Sequence, residues 1–91
     1  MRAGVDYTSV PARHMADVVE RWIEHGVPGG SFLMAVVTND LREAAARSDD
    51  TNRHLLFEWV AWFHNNAPIG SWGSPEAARQ WMTRHAEQRE D

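Results

Sequence analysis

The sequence predicts an all-α fold, a compact single domain of four to five short helices. Apolar residues recur at helical spacing in segments that are separated by glycine, proline, aspartate and serine. The chain has 91 residues, enough for one modest core, and its apolar fraction of 43% is typical of a globular protein. We therefore expect one helical domain over residues 10–91. Residues 1–9 show no period and are predicted to form a flexible N-terminal arm, which Tyr7 could anchor to the body.

The first helix is predicted from about Pro11 to His25. Proline is favoured at the first helical position because its missing N–H would have no partner there. Gly26 supplies a left-handed stop, and Pro28 prevents the helix from continuing. The predicted buried stripe consists of Met15, Val18, Val19, Trp22 and Ile23.

A central apolar helix is predicted to begin after Ser31 as its N-cap. Its buried residues are expected to be Phe32, Leu33, Val36, Val37, Leu41, Ala44 and Ala45. The polar run from Thr38 to Asp40 interrupts it with side chains that compete for backbone hydrogen bonds. Either Asn39 or Asp40 caps a second helix that ends near Arg47, or one helix continues with a bend. A cap is favoured over the alternative, in which Asn39 and Asp40 point into a shared pocket.

The next helix is predicted over residues 51–65, after a turn and N-cap at residues 48–50. Its apolar face consists of Leu55, Leu56, Trp59, Val60 and Phe63. Phe57 and Trp62 lie away from that face, so the helix is apolar over a wide arc. Such a helix is either central in the fold or contacts another subunit. We favour the second, and thus a homo-oligomer.

The last helix has a strong start signal, with Ser74 as N-cap and Pro75 at the first helical position. Its predicted inner face consists of Ala77, Ala78, Trp81, Met82 and His85. The five tryptophans of the chain are an unusual number for its length. Either all of them fill the core, or one or two line a ligand pocket or a subunit interface.

Composition excludes several classes of function. Cysteine is absent, so disulfides and thiolate chemistry are excluded. The net charge of −4 and the lack of a basic run argue against nucleic-acid binding. No stretch is apolar enough to span a membrane or to form a signal peptide, which favours the cytoplasm. The five histidines never lie three or four residues apart, and no nucleotide-binding or hydrolase motif occurs. We therefore expect no enzyme, no catalytic residues, no metal site and no cofactor.

Four segments together resemble a family of small helical proteins of phage and prophage genomes. They are Val27–Leu33 with its Pro-Gly-Gly turn, Ala35–Leu41 with its Asn-Asp-Leu step, Asp49–Asn52, and Trp72–Pro75 with its Gly-Ser-Pro helix start. The resemblance spans about residues 10 to 82. It implies a phage setting, hence the cytoplasm of the host cell, and no particular chemistry.

In that setting, small helical proteins without catalytic residues act by binding something of the host. The favoured hypothesis is a counter-defence protein that sequesters a nucleotide-type immune signalling molecule in a pocket at an oligomer interface. Such a pocket needs aromatic rings that stack on a base, arginine side chains that bind phosphate, and polar groups that bind base edges and hydroxyls. The candidate ligand-binding residues are Asn39, Asp40, Arg42, Arg47, Asn52, Arg53, Trp62 and Trp72. The alternative is an inhibitor or adaptor of a host defence or nucleic-acid-processing protein; a helix-turn-helix regulator is disfavoured by the charge.

Overall fold

Residues 4–90 form six α-helices and contain no β-strand. The computed structural model describes residues 4–90, with side chains for residues 4–88. The helices are α1 (Ala16–His25), α2 (Ser31–Val37), α3 (Leu41–Arg47), α4 (Asp50–His54), α5 (Leu56–Asn66) and α6 (Pro75–Glu90). Two short 3₁₀ helices, Tyr7–Ser9 and Arg13–Met15, precede them. The all-α prediction is confirmed.

Several helix ends follow the predicted punctuation. Gly26 ends α1 in the left-handed conformation, at a φ of 66°, and its N–H donates to the carbonyl of Trp22. The side chain of Asp49 caps α4 by accepting from the amide of Asn52 at 2.7 Å. Ser74 caps α6 through its hydroxyl, which accepts from the amide of Ala77 at 3.0 Å. Short polar side chains and glycine therefore set these boundaries as expected.

Other boundaries differ from the prediction. Pro11 does not open an α-helix: residues 13–15 form a 3₁₀ turn, and α1 starts only at Ala16. Ser31 is the first residue of α2 and makes no cap, since Gly30 occupies the N-cap position. The helix predicted over residues 51–65 breaks at Leu55, whose ψ of 12° and hydrogen bond to the carbonyl of Asn52 give a tight turn between α4 and α5.

The segment predicted as an N-terminal arm packs against the body from Val5 onward. Val5 and Tyr7 are buried, and the Tyr7 hydroxyl donates to the carboxylate of Glu24 on α1 at 2.5 Å. Ser9 accepts a hydrogen bond from the indole of Trp62 on α5. The apolar side chains of this segment therefore complete the core. Residues 1–3 lie outside the described part of the chain.

Tryptophan side chains link the elements of the core. The indole of Trp22 donates to the carbonyl of Ser71 at 2.8 Å, and the indole of Trp81 donates to the carbonyl of Trp22 at 2.9 Å. These two bonds connect α1, the loop before α6 and α6 itself. A further bond, from the amide of Gly73 to the carbonyl of Val37, holds that loop to α2. Because each buried indole N–H has a partner, the core buries these rings without a polar penalty.

The radius of gyration of 12.4 Å is close to the roughly 12 Å expected for a compact chain of this length. On α6, Ala78, Trp81 and His85 are buried as predicted. None of the described helices has the length and apolar character needed to cross a lipid bilayer.

Candidate binding surface

Three of the exposed large apolar side chains among the described residues belong to α3 and α5, two helices whose residues line one hollow. Leu41 opens α3 and is 67% exposed, while Phe57 and Val60 on α5 are 79% and 39% exposed. Leu56 is half-buried beside them. We call these four residues the α3–α5 surface. Phe57 and Val60 are three positions apart and thus neighbours on one face of α5.

Leu41, Leu56 and Val60 of this surface line a hollow together with residues of α2, whereas Phe57 is not among its lining residues. The hollow has a volume of about 20 Å³, with about 230 Å³ between its lining atoms when the open mouth is included. It is lined by Ala35, Val36, Asn39, Asp40, Leu41, Ala44, Leu56 and Val60. Space of about 20 Å³ accommodates little more than one water molecule, so this hollow by itself does not enclose a nucleotide.

Asn39 and Asp40 form the polar edge of the hollow. Asn39 adopts the left-handed conformation at a φ of 61°, which asparagine tolerates better than most residues. Asp40 caps α3 through its carboxylate, which accepts from the amide of Glu43 at 3.1 Å. The predicted cap is therefore confirmed. Both residues also line the hollow, the position that the pocket alternative required.

The three candidate arginines lie on the protein surface. Arg47 bonds to Glu43 at 3.2 Å and Arg53 to Asp50 at 3.4 Å, each within its own helix and more than half exposed. Arg42 is exposed directly after Leu41. Exposed pairs of this kind contribute little to stability, so the guanidinium groups can be recruited by another partner at low cost.

The remaining candidates serve the core. Asn52 is 3% exposed; its side-chain oxygen accepts from the indole of Trp59 at 2.8 Å, and its amide nitrogen donates to the sulfur of Met15 at 3.1 Å. Trp62 is buried, and Trp72 is half-buried. Both indole rings pack against Phe63, with centroids 5.3 and 5.7 Å away.

The structure does not gather the eight predicted ligand-binding residues into one site. Asn39 and Asp40 line the hollow, and the two tryptophans share Phe63 as a neighbour. Within the described residues, no side-chain hydrogen bond, ion pair or ring contact joins one of the eight to another. Ligand binding by these residues stays a prediction.

The exposed members of the α3–α5 surface were only partly indicated by the sequence. The position of Phe57 off the apolar stripe pointed to a second face of its helix. Leu41, in contrast, was expected to be buried together with Ala45, and both are exposed. α3 has seven residues, and only Ala44 among them is buried, so the packed face of this helix is too narrow to include Leu41 and Ala45.

A second concavity follows the outer face of α6. It has a volume of about 420 Å³ and is lined by Glu76, Arg79, Gln80, Thr83, Arg84 and Glu87. All six side chains come from one face of one helix, so this space is an open polar surface. Among the described residues, no three histidine, aspartate or glutamate side chains are grouped to hold a metal ion.

Comparison with known proteins found no match to this chain among protein families, curated proteins or solved structures.

Proposed function

We propose that the chain is a non-enzymatic binding protein that acts through protein–protein contact at the α3–α5 surface. The supporting observation is that Phe57, 79% exposed, neighbours Val60 on α5, and that Val60 and Leu41, which is 67% exposed, line one hollow. Single exposed apolar residues are common, but adjacent ones around a concavity are typical of interaction sites.

The energetics favour such a contact. Burial of apolar area contributes about 25 cal/mol per Å², and a phenylalanine ring buries on the order of 150 to 250 Å². Apolar groups also carry no desolvation penalty, whereas a charged group that enters an interface does. A partner that covers Phe57 and Leu41 therefore gains free energy from the burial of their apolar area.

Site-specific photocrosslinking tests this proposal. Benzoylphenylalanine replaces Phe57 in cells that produce the chain, and the matched control carries it at Gln80, which is also exposed but lies on the polar face of α6. We expect a discrete crosslinked species from position 57 and none from position 80. The substitution Val60→Glu in the same chain should remove the crosslink, because it places a charge in the contact.

Equal crosslinking from positions 57 and 80 would indicate random collision and would contradict the proposal. Absence of any crosslink from position 57 would contradict it as well.

A second candidate function is sequestration of a nucleotide-type signalling molecule, in the phage counter-defence setting that the sequence resemblance implies. The observation that favours it is the position of Asn39 and Asp40 at the edge of the hollow. Their amide and carboxylate groups suit base edges and ribose hydroxyls, and nearby Arg42 suits a phosphate. Because the hollow itself encloses too little space, this function requires an interface that deepens it.

Native mass spectrometry tests the second candidate on protein purified from cells with and without an active nucleotide-signalling defence. We expect a homo-oligomer with additional nucleotide-sized mass only from cells with the active defence. Asn39→Ala should reduce that mass, whereas Thr51→Ala, at an exposed position on α4, should not. A bare monomer under both conditions would exclude sequestration and leave protein–protein contact.

A further inference from the structure

We infer that Met15 is a reversible oxidation site, at which hydrogen peroxide converts the thioether to a sulfoxide whose oxygen accepts a hydrogen bond from Asn52. The inference goes beyond the proposed binding function and does not depend on it. It rests on two observations: a buried donor whose present acceptor is weak, and a methionine side chain that is partly exposed.

The buried donor is the side-chain nitrogen of Asn52, a residue that is only 3% exposed. Trp59 fixes the orientation of this side chain, because an indole N–H can only donate. The Asn52 oxygen therefore faces Trp59, at 2.8 Å, and the nitrogen faces Met15. Among the described residues, the Met15 sulfur, 3.1 Å away, is the only acceptor for this nitrogen. A thioether is a weak acceptor, so a stronger one at the same place would stabilise the buried donor.

Met15 lies at the edge of the core, where an oxidant can reach it. It is the last residue of the 3₁₀ turn Arg13–Met15, and its side chain is partly exposed. A second contact holds the same turn next to α4, since Nε2 of His14 lies 3.8 Å from the carboxylate of Asp49. The sulfur is thus both accessible and held beside Asn52.

The oxidation is balanced with hydrogen peroxide as the oxidant. A lone pair of the Met15 sulfur attacks one peroxide oxygen, so that an S–O bond forms and the O–O bond breaks. The second oxygen leaves as water after proton transfer. The sulfur loses two electrons and the peroxide gains them. Methionine sulfoxide reductases reverse this modification, which makes the site reversible.

The sulfoxide of Met15 differs from other methionine sulfoxides in having a donor in place. Oxidation usually disrupts packing, because it makes an apolar side chain polar. At Met15, the hydrogen bond from Asn52 to the new oxygen offsets part of that cost. Met34 and Met82 provide the comparison: both are partly exposed, and the described residues make no hydrogen bond to either sulfur.

Two purified variants test the inference. Met34→Leu with Met82→Leu leaves Met15 reactive, whereas Met15→Leu is the matched control; both retain Met1, so its oxidation contributes equally. After treatment with hydrogen peroxide, peptide mass spectrometry locates the added oxygen, and urea denaturation measures the folding equilibrium. We expect the first variant to carry Met15 sulfoxide and stay folded, and a methionine sulfoxide reductase to remove the oxygen.

Asn52→Ala isolates the hydrogen bond. In the variant that retains Met15, this substitution should make oxidation lower the folding equilibrium constant further, by on the order of fivefold, the equivalent of one neutral hydrogen bond. Each protein is compared before and after oxidation, so the cost of Asn52→Ala itself cancels. In the Met15→Leu background, Asn52→Ala should leave the effect of oxidation unchanged.

NMR of the Asn52 side-chain amide provides a readout that needs no Asn52 variant. Peroxide should shift its proton resonances downfield in the variant that retains Met15 and leave them in place in Met15→Leu. Oxidation that costs the same with and without Asn52, or resonances that do not move, would overturn the hydrogen bond. Wild-type protein in which Met34 and Met82 become oxidised while Met15 does not would overturn the site itself.

Discussion

At the scale of single residues, Asn52 has a structural role that its residue type does not reveal. Its side chain accepts from the indole of Trp59 and donates to the sulfur of Met15, so it joins α4 to α5 and to the turn before α1. A buried indole N–H without an acceptor costs about 1–3 kcal/mol. An asparagine side chain is equally suited to bind a nucleotide base and to form hydrogen bonds inside the core. Sequence alone therefore could not distinguish the two.

Asn52→Ala should lower the free energy of unfolding by about 1–3 kcal/mol, because it leaves the Trp59 indole unsatisfied. The double variant Asn52→Ala with Trp59→Phe should lose less than the sum of the two single variants, since it removes both partners of the bond. Urea denaturation followed by circular dichroism measures all three values. A cost for Asn52→Ala no larger than that of Thr51→Ala, on the exposed side of α4, would show that the bond contributes nothing.

At the scale of helices, the local chemistry at the helix ends explains which helix boundaries were predictable from the sequence. Gly26, Asp49 and Ser74 act on amides and carbonyls within a few residues of themselves, so sequence patterns identified them. The break at Leu55 has no such signal. The turn there is formed by backbone groups, since the amide of Leu55 donates to the carbonyl of Asn52, and tertiary packing determines it. The exposure of Leu41 was missed for the same reason, because it depends on where α3 lies and not on its own pattern.

Substitution of Asp40 tests whether its N-cap hydrogen bond stabilises α3. Since Ala44 is the one buried residue of α3, packing contributes little to this helix, and the bond from Asp40 to the amide of Glu43 should matter. Asp40→Ala should cost about 1 kcal/mol and increase hydrogen exchange of the α3 amides before those of α5. Asn39→Gly is the control: glycine adopts a φ of 61° without strain, so exchange should stay near that of the wild type. Unaltered protection of α3 in Asp40→Ala would argue against the cap.

At the scale of the whole molecule, the N-terminal segment closes one side of the core. Tyr7 bonds to Glu24 on α1, and its ring lies 6.5 Å from that of Trp62 on α5, to which Ser9 is also bonded. These contacts join residues 17 to 55 apart in sequence, so the local pattern of the segment does not reveal them. They also explain the wide apolar arc of α5: this segment covers Trp62, and Phe57 is left exposed. The surface proposed for binding is thus the part of α5 that the chain itself does not cover.

Tyr7→Ala therefore distinguishes a core segment from a loose arm. Removal of a buried aromatic ring costs about 3–5 kcal/mol, and in a domain of this size that lowers the melting temperature by more than about 10 °C. Thr8→Ala is the control, because Thr8 is exposed and bonds only to the neighbouring Asp6. Thermal denaturation followed by circular dichroism compares the two, and limited proteolysis should cut Tyr7→Ala near its N-terminus before the wild type. If Tyr7→Ala melts within about 1 °C of Thr8→Ala, the segment does not support the core, and α5 carries its wide apolar arc for some other contact.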